Sequence, residues 1–279
     1  MKRKINQLIV LISIFVLLSA CGNGNGNNAG GVNGNAQTLA ISGSTSVGPL
    51  AEKLAVEYEK KNEGLKIEIN QIGSSAGITN ALNGVSEIGM SSRDLSEDEK
   101  ASGLQETVIA YDGIVVITHP SNEIKDITIE QVRDIFTGKI TNWKELGGSD
   151  LEIVVVSRED GSGSRDAFQE IVGYSSGQLV KSAIVASGNG NIKTTVATNK
   201  HAVGFISFEY IDTSINPLKI NGVEATAENV LNQKYQLSRP FLFVHLEDNL
   251  TKNGQSFIDY VLSSDGQSIV SDSGAIPLK

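Results

Sequence analysis

The sequence predicts an α/β fold, and three observations carry that prediction. Strand and helix signals alternate from about residue 38 to the end of the 279-residue chain. Residues 113–118 (GIVVIT) form a continuous apolar run, the pattern of a strand covered on both faces. Three times, a strand runs into a loop of glycine with serine or threonine, and the loop opens a helix. Alternation of this kind indicates largely parallel sheets flanked by helices.

The elements follow in order. Residues 39–41 are a short strand that stops at GSTSVG, after which Leu50, Leu54 and Tyr58 recur every fourth residue on one helical face. Leu65, Ile67 and Ile69 alternate with Lys66, Glu68 and Asn70 in a half-buried strand that runs into GSSAG and a helix to about Asn83. Residues 88–90 form a short strand ending in SSRD, and GIVVIT follows. Thr128-Ile-Glu-Gln131 reads as a capping box opening a helix whose apolar face is Val132, Ile135 and Phe136. Residues 151–156 (LEIVVV) read as a strand before SREDGSGSR and a helix carrying Phe168, Ile171 and Val172. Residues 204–208 and 241–244 add strands, and residues 253–262 a helix.

The first 37 residues read differently. Lys2-Arg3-Lys4 and the apolar residues 8–18 form a signal peptide too short to be an ordinary membrane span. It ends in Leu-Ser-Ala-Cys21, which resembles the lipobox of bacterial lipoproteins. That resemblance implies cleavage after residue 20, a lipid on Cys21, and stable anchoring by two or three acyl chains. Cys21 is the only cysteine, so no disulfide forms within the chain. Residues 22–36, almost all glycine and asparagine, read as a flexible tether. The net charge is −9; losing Lys2, Arg3 and Lys4 takes it to −12, which argues against nucleic acid or an anionic membrane surface as a partner.

The three loops contain Ser44, Thr45 and Ser46; Ser74 and Ser75; and Asp160, Ser162, Gly163 and Ser164. Each places hydroxyls beside a helix N-terminus, whose unpaired N–H groups and dipole suit an anion. Single loops of this type are usually helix caps; three together point to an oxyanion site. Arg158 sits two residues before the third loop, placed to grip two oxygens of an oxyanion, the alternative being a surface arginine paired with Glu159 or Asp160. Gly73-Ser-Ser75-Ala-Gly77 also fits the G-x-S-x-G elbow of a serine hydrolase, but His119, His201 and His245 have no motif around them. GSTSVG lacks the Lys-Ser/Thr of a P-loop, and no metal-binding spacing is present. No enzyme activity, cofactor or metal is expected.

The stretches ISGSTSVGPLAE, QIGSSAGI, IGMSSRDLS, IFTGKITNW, VVVSREDGSGSR and VGFISFEY, in this order, resemble the PstS-type phosphate-binding lipoproteins of bacterial phosphate ABC transporters over about residues 38–279. The resemblance implies a two-lobed, periplasmic-binding-protein-like clamshell. Each lobe would be a mixed sheet flanked by helices, with a hinge of crossing strands. Lobe 1 would be residues 38–112 and 240–279, and lobe 2 residues 113–239. It implies a monomer outside the cytoplasm, held to the cell membrane by its lipid, delivering inorganic phosphate to membrane permease subunits. It assigns phosphate to Thr45 and Ser46 with Ser44 beside them, to Ser74 rather than Ser75, and to Arg158, Ser162, Gly163 and Ser164, with Asp160 orienting Arg158.

One position departs from the family pattern. Where an aspartate accepts the proton of hydrogen phosphate and repels sulfate, this chain has Ser92, followed by Arg93 and Asp94. Arg93 is then a candidate second cation, and Asp94 or Asp112 the candidate proton acceptor. The alternatives are a receptor for another oxyanion, such as sulfate, molybdate or a phosphonate, and a tethered serine hydrolase using Ser75.

Overall fold

The computed structural model describes residues 37–278. The expected signal peptide, the Cys21 lipidation and the expected tether of residues 22–36 lie outside the described residues. The first described element starts at Gln37, one residue before the expected start of ordered structure.

In chain order the first elements are β1 (Gln37–Gly43), α1 (Gly48–Lys61), β2 (Leu65–Gln71), α2 (Ser74–Leu82), β3 (Ile88–Ser91), α3 (Glu97–Ala101) and β4 (Leu104–Thr118). There follow β5 (Asp126–Ile127), α4 (Ile129–Phe136), β6 (Val154–Arg158), α5 (Gly163–Val172), β7 (Ile184–Ala186), α6 (Gly188–Thr198) and β8 (Ala202–Ser207). The last are β9 (Asn216–Pro217), β10 (Lys219–Ile220), α7 (Ala227–Leu231), β11 (Ser238–Leu246), α8 (Lys252–Leu262) and α9 (Ser264–Asp272).

The main sheet has the order β2-β1-β3-β11-β4-β8-β6-β7, with β9 added beside β4. Pairing is parallel at β2-β1-β3 and at β8-β6-β7, and antiparallel where β11 and β4 join the two sets. The sheet is therefore mixed, and the expectation of largely parallel pairing holds only for its outer parts. β4 changes partner partway along: residues up to Gly113 pair with β11, and Ile114 to Thr118 pair with β8.

The apolar cores change over at the same place. Leu39, Ile41, Leu50, Leu54, Met90, Phe241, Phe243 and Phe257 belong to one buried cluster. Val116, Phe136, Trp143, Phe168 and Phe205 belong to another, where Phe168 stacks on Phe205 at 4.1 Å between centroids. The run GIVVIT is apolar throughout because Ile114 and Val116 face that second cluster while Val115 and Ile117 face a third on the other side of the sheet. The Thr128 capping box forms as its sequence predicts: its hydroxyl accepts from Gln131 N–H and its own N–H donates to Gln131 Oε1.

Some boundaries differ from the sequence reading. The strand expected at residues 151–156 is β6, shifted toward Arg158, because residues 151–153 are claimed by the segment before them: Trp143 N–H bonds Leu151 O, and Ile153 N–H bonds Thr141 O. The strand expected at residues 204–208 runs from Ala202 to Ser207 and gives way to a 3₁₀ turn at Phe208–Tyr210. Among the described residues no helix is long and apolar enough to cross a membrane.

Candidate functional site

Three strand-to-helix turns converge on one tightly closed cavity, lined by Ser44, Thr45, Gly73, Ser74, Ser92, Arg158, Ser162, Gly163 and Ser164. The turns lie at the carboxyl ends of β1, β2 and β6, the side of an α/β sheet where ligands bind. Two of the helices that leave them, α2 and α5, begin at cavity residues Ser74 and Gly163. Their first-turn N–H groups have no intrahelical acceptor and bring the positive end of the helix dipole to the cavity.

The first turn is braced by its own serine: Ser44 Oγ accepts from the N–H groups of Ser46 and Val47, at 3.1 and 3.2 Å. With its acceptor capacity used, the hydroxyl hydrogen of Ser44 is free to point into the cavity. Ser92 N–H donates to Ser74 Oγ at 3.2 Å, and the two hydroxyls lie 3.3 Å apart. Close backbone approach needs glycine at two places. A Cβ on Gly77 would stand 2.3 Å from the Gly43 Cα, and one on Gly163 would stand 2.2 Å from Ser74 Oγ and 2.9 Å from Ser92 Oγ. Gly77 of the G-x-S-x-G pattern thus serves packing, and α5 can press its first turn onto α2 only because residue 163 has no side chain.

Arg158 is 1% exposed. Its Nε–H and Nη2–H donate to the two oxygens of Glu159 at 2.8 Å each; Nη2–H also reaches Thr45 Oγ1 at 2.8 Å. Burial alone would raise the Glu159 carboxyl, but the hydrogen bonds and charge of Arg158 outweigh it and hold the pKa below its ordinary value. The expected orienting residue, Asp160, pairs instead with Arg165 Nη1 at 2.5 Å and is almost fully exposed. The reason is geometric: Glu159 lies beside the Arg158 fork, and Asp160 on the turn faces outward toward α5.

The other proposed residues are placed as follows. Ser46 is buried just behind the cavity wall, its Oγ 2.8 Å from Ser164 Oγ. Ser75 accepts a long 3.4 Å bond from Arg93, its N–H bonds Gly161 O, and no histidine bonds it. His119 contacts Ser121, His201 contacts the Glu152 carbonyl, and the hydrolase constellation is not assembled. Arg93 lies outside the cavity lining, gripped by Glu99 at 2.7 and 2.9 Å and bonded to Asp166 at 3.1 Å. Asp94 is exposed. Asp112 is 1% exposed but fully engaged: Arg239 donates twice to Oδ2, and Ser207 Oγ and Phe208 N–H donate to Oδ1. Burial pushes the Asp112 carboxyl up against the pull of Arg239. Arg239 in turn donates to the Ser92 carbonyl at 3.2 Å, so Asp112 supports the cavity wall through Arg239. Neither candidate proton acceptor lines the cavity.

Two supporting residues escaped the sequence reading. Asn189, near the start of α6, donates to Ser46 Oγ at 3.0 Å, and its carbonyl oxygen accepts from Ser207 N–H and Arg158 Nη1. Its signal was the run SGNGN at residues 187–191, a fourth glycine-rich strand-to-helix turn, masked by a preceding strand of only three residues. Arg239 carried no local motif. Among the described residues no group of three or more His, Cys, Asp or Glu could hold a metal.

With this geometry established, the similarities of the chain fall together. A family profile described as a PBP superfamily domain matches residues 28–265. The phosphate-binding protein PstS of Borreliella burgdorferi is 32% identical, over 88% of this chain and 91% of that one. The phosphate-binding protein PstS of Bacillus subtilis is also 32% identical, over 99% and 95%. A crystal structure with bound phosphate, from Clostridium perfringens and assigned to a phosphate ABC transporter substrate-binding protein, matches at 58% identity with a TM-score of 0.86, over 87% of this chain and 100% of that one. An ABC-type phosphate transport receptor from Vibrio cholerae matches at 35% identity with a TM-score of 0.77, over 86% and 100%.

Proposed function

Because the chain belongs to the PstS-type phosphate-binding proteins of the PBP superfamily, we propose that it captures inorganic phosphate in the cavity at Arg158 and delivers it to an ABC import permease. Proteins of this family bind their ligand and do not transform it, so the protein is not an enzyme. The observation that carries the reading is the composition of the cavity wall: hydroxyls, helix N-termini and one buried guanidinium, with no carboxylate among the lining residues.

The chemistry follows from that wall. A phosphate entering it loses its water and needs donors on every oxygen to offset the desolvation. Arg158 and Glu159 largely cancel as charges, so the anion is held by directed N–H and O–H dipoles more than by net charge. This reconciles an acidic protein with an anionic cargo.

The change of apolar cluster and of strand partner along β4 supports two lobes, residues 38–112 with 240–279 and residues 113–239, hinged where β4 and β11 cross. Ser44, Thr45, Ser46, Ser74 and Ser92 come from the first lobe, and Arg158, Ser162, Gly163 and Ser164 from the second. Ligand contacts made by both lobes favour closure, and the closed form is the one presented to the permease. In this reading the protein acts outside the cytoplasm as a monomer, anchored through lipid on Cys21. Calorimetric titration with phosphate and then sulfate tests the assignment: tight binding confined to phosphate is expected, and equal affinity for both removes the selectivity.

A further inference from the structure

Arg93 was a candidate ligand for the anion, yet its side chain turns away from the cavity. It follows Ser92, a wall residue, and its side chain is only 12% exposed. Both Nη groups are bonded to Glu99, whose Oε2 is itself fixed by Ser96 N–H at 2.8 Å in the capping box of α3. Glu99 thus holds the fork in one plane and leaves Nε–H free to point across the rim. There it meets Asp166 at 3.1 Å.

Asp166 lies in the first turn of α5, the turn whose Gly163 and Ser164 form the opposite wall. A second contact crosses the rim close by, from Ser75 N–H to Gly161 O at 3.2 Å. We infer that Arg93 is a positioning residue that latches the two lobes shut, tying the β3 side of the cavity to the first turn of α5 and so setting how fast the bound anion escapes. This inference rests on the two-lobe phosphate-receptor assignment above. The pair is partly solvated, with Asp166 38% exposed, so its effect is modest and falls with salt.

The test is the release rate of radiolabelled inorganic phosphate from the wild-type protein, Arg93→Ala, Asp166→Ala and the double variant. The latch predicts release roughly three- to tenfold faster in each single variant, with a smaller change in association, and no further loss in the double variant. Asp166→Ala is decisive in sign: it removes a negative charge beside an anion site, so a purely electrostatic role would slow release. Slower or unchanged release in Asp166→Ala, or additive effects in the double variant, overturns the latch. Small-angle scattering of the same proteins gives a readout independent of phosphate: the variants are expected to be more open than wild type, with or without ligand. If the wild-type protein binds no phosphate, the receptor assignment fails and scattering alone decides the latch; superimposable curves overturn it.

Discussion

Arg158 Nη2 donates at 2.8 Å to Thr45 Oγ1, joining residues 113 positions apart across the cavity. The same nitrogen and Nε hold Glu159, so the guanidinium is fixed in one plane with Thr45 on its far side. Thr45 Oγ1 accepts from Arg158 and keeps its own hydrogen for a ligand. Arg158→Ala removes a charged donor from a buried wall and is expected to weaken phosphate binding at least about tenfold, or ~1.4 kcal/mol, by calorimetry. An unchanged affinity places Arg158 outside the site.

Gly163→Ala tests the close approach of α5. The added methyl would lie 2.2 Å from Ser74 Oγ, so either the serine moves out of the wall or the cavity stays ajar. Phosphate affinity is expected to fall by more than about tenfold, a loss within the cost range of core overpacking. The melting temperature without phosphate changes little if the clash is relieved by opening.

The Asp112–Arg239 pair is 1% exposed on both sides and sits near the place where β4 changes partner. Arg239→Leu leaves a buried carboxyl facing no cation and is expected to cost about 3–5 kcal/mol in urea unfolding. The Ser92 carbonyl loses its donor as well, so phosphate affinity also drops.

Glu209 follows β8, and its Oε1 has no hydrogen-bond partner among the described residues. Burial, with the Asp112 charge adding to it, pushes its pKa from 4.5 up to about 8. The native state therefore holds a proton that the unfolded chain releases between those values, and stability falls as pH rises through that window. Glu209→Gln stays neutral. It should flatten the decline in urea midpoint between about pH 5 and about pH 8.5 and gain up to a few kcal/mol at the upper end. A wild-type midpoint that is flat across this range contradicts the assignment.

The fold was legible where sequence pattern and packing coincide. Leu50, Leu54 and Tyr58 mark the buried face of α1, and GIVVIT marks the strand with cores on both faces. The site was legible in its turns, because Gly-Ser motifs that open helices are local. Partner choice was not. Nothing near Arg158 distinguishes Glu159 from Asp160, since the outcome depends on which carboxylate the turn aims at the fork. Likewise Arg93 and Asp112 have the right chemistry for an anion site, yet Glu99, Asp166 and Arg239 engage them, from 6 to 127 residues away. Arg239 reaches the wall only through a long-range contact that no window of sequence contains, whereas Asn189 sits in a turn of the same kind hidden by the short strand before it.

In the proposed reading the cavity at Arg158 takes one inorganic phosphate. Calorimetric titration of the protein with phosphate, repeated with Arg158→Ala, tests it most directly. Saturable binding at one site per chain is expected, and the substitution weakens it at least about tenfold. Absence of binding to the wild type, or binding indifferent to Arg158→Ala, would contradict it.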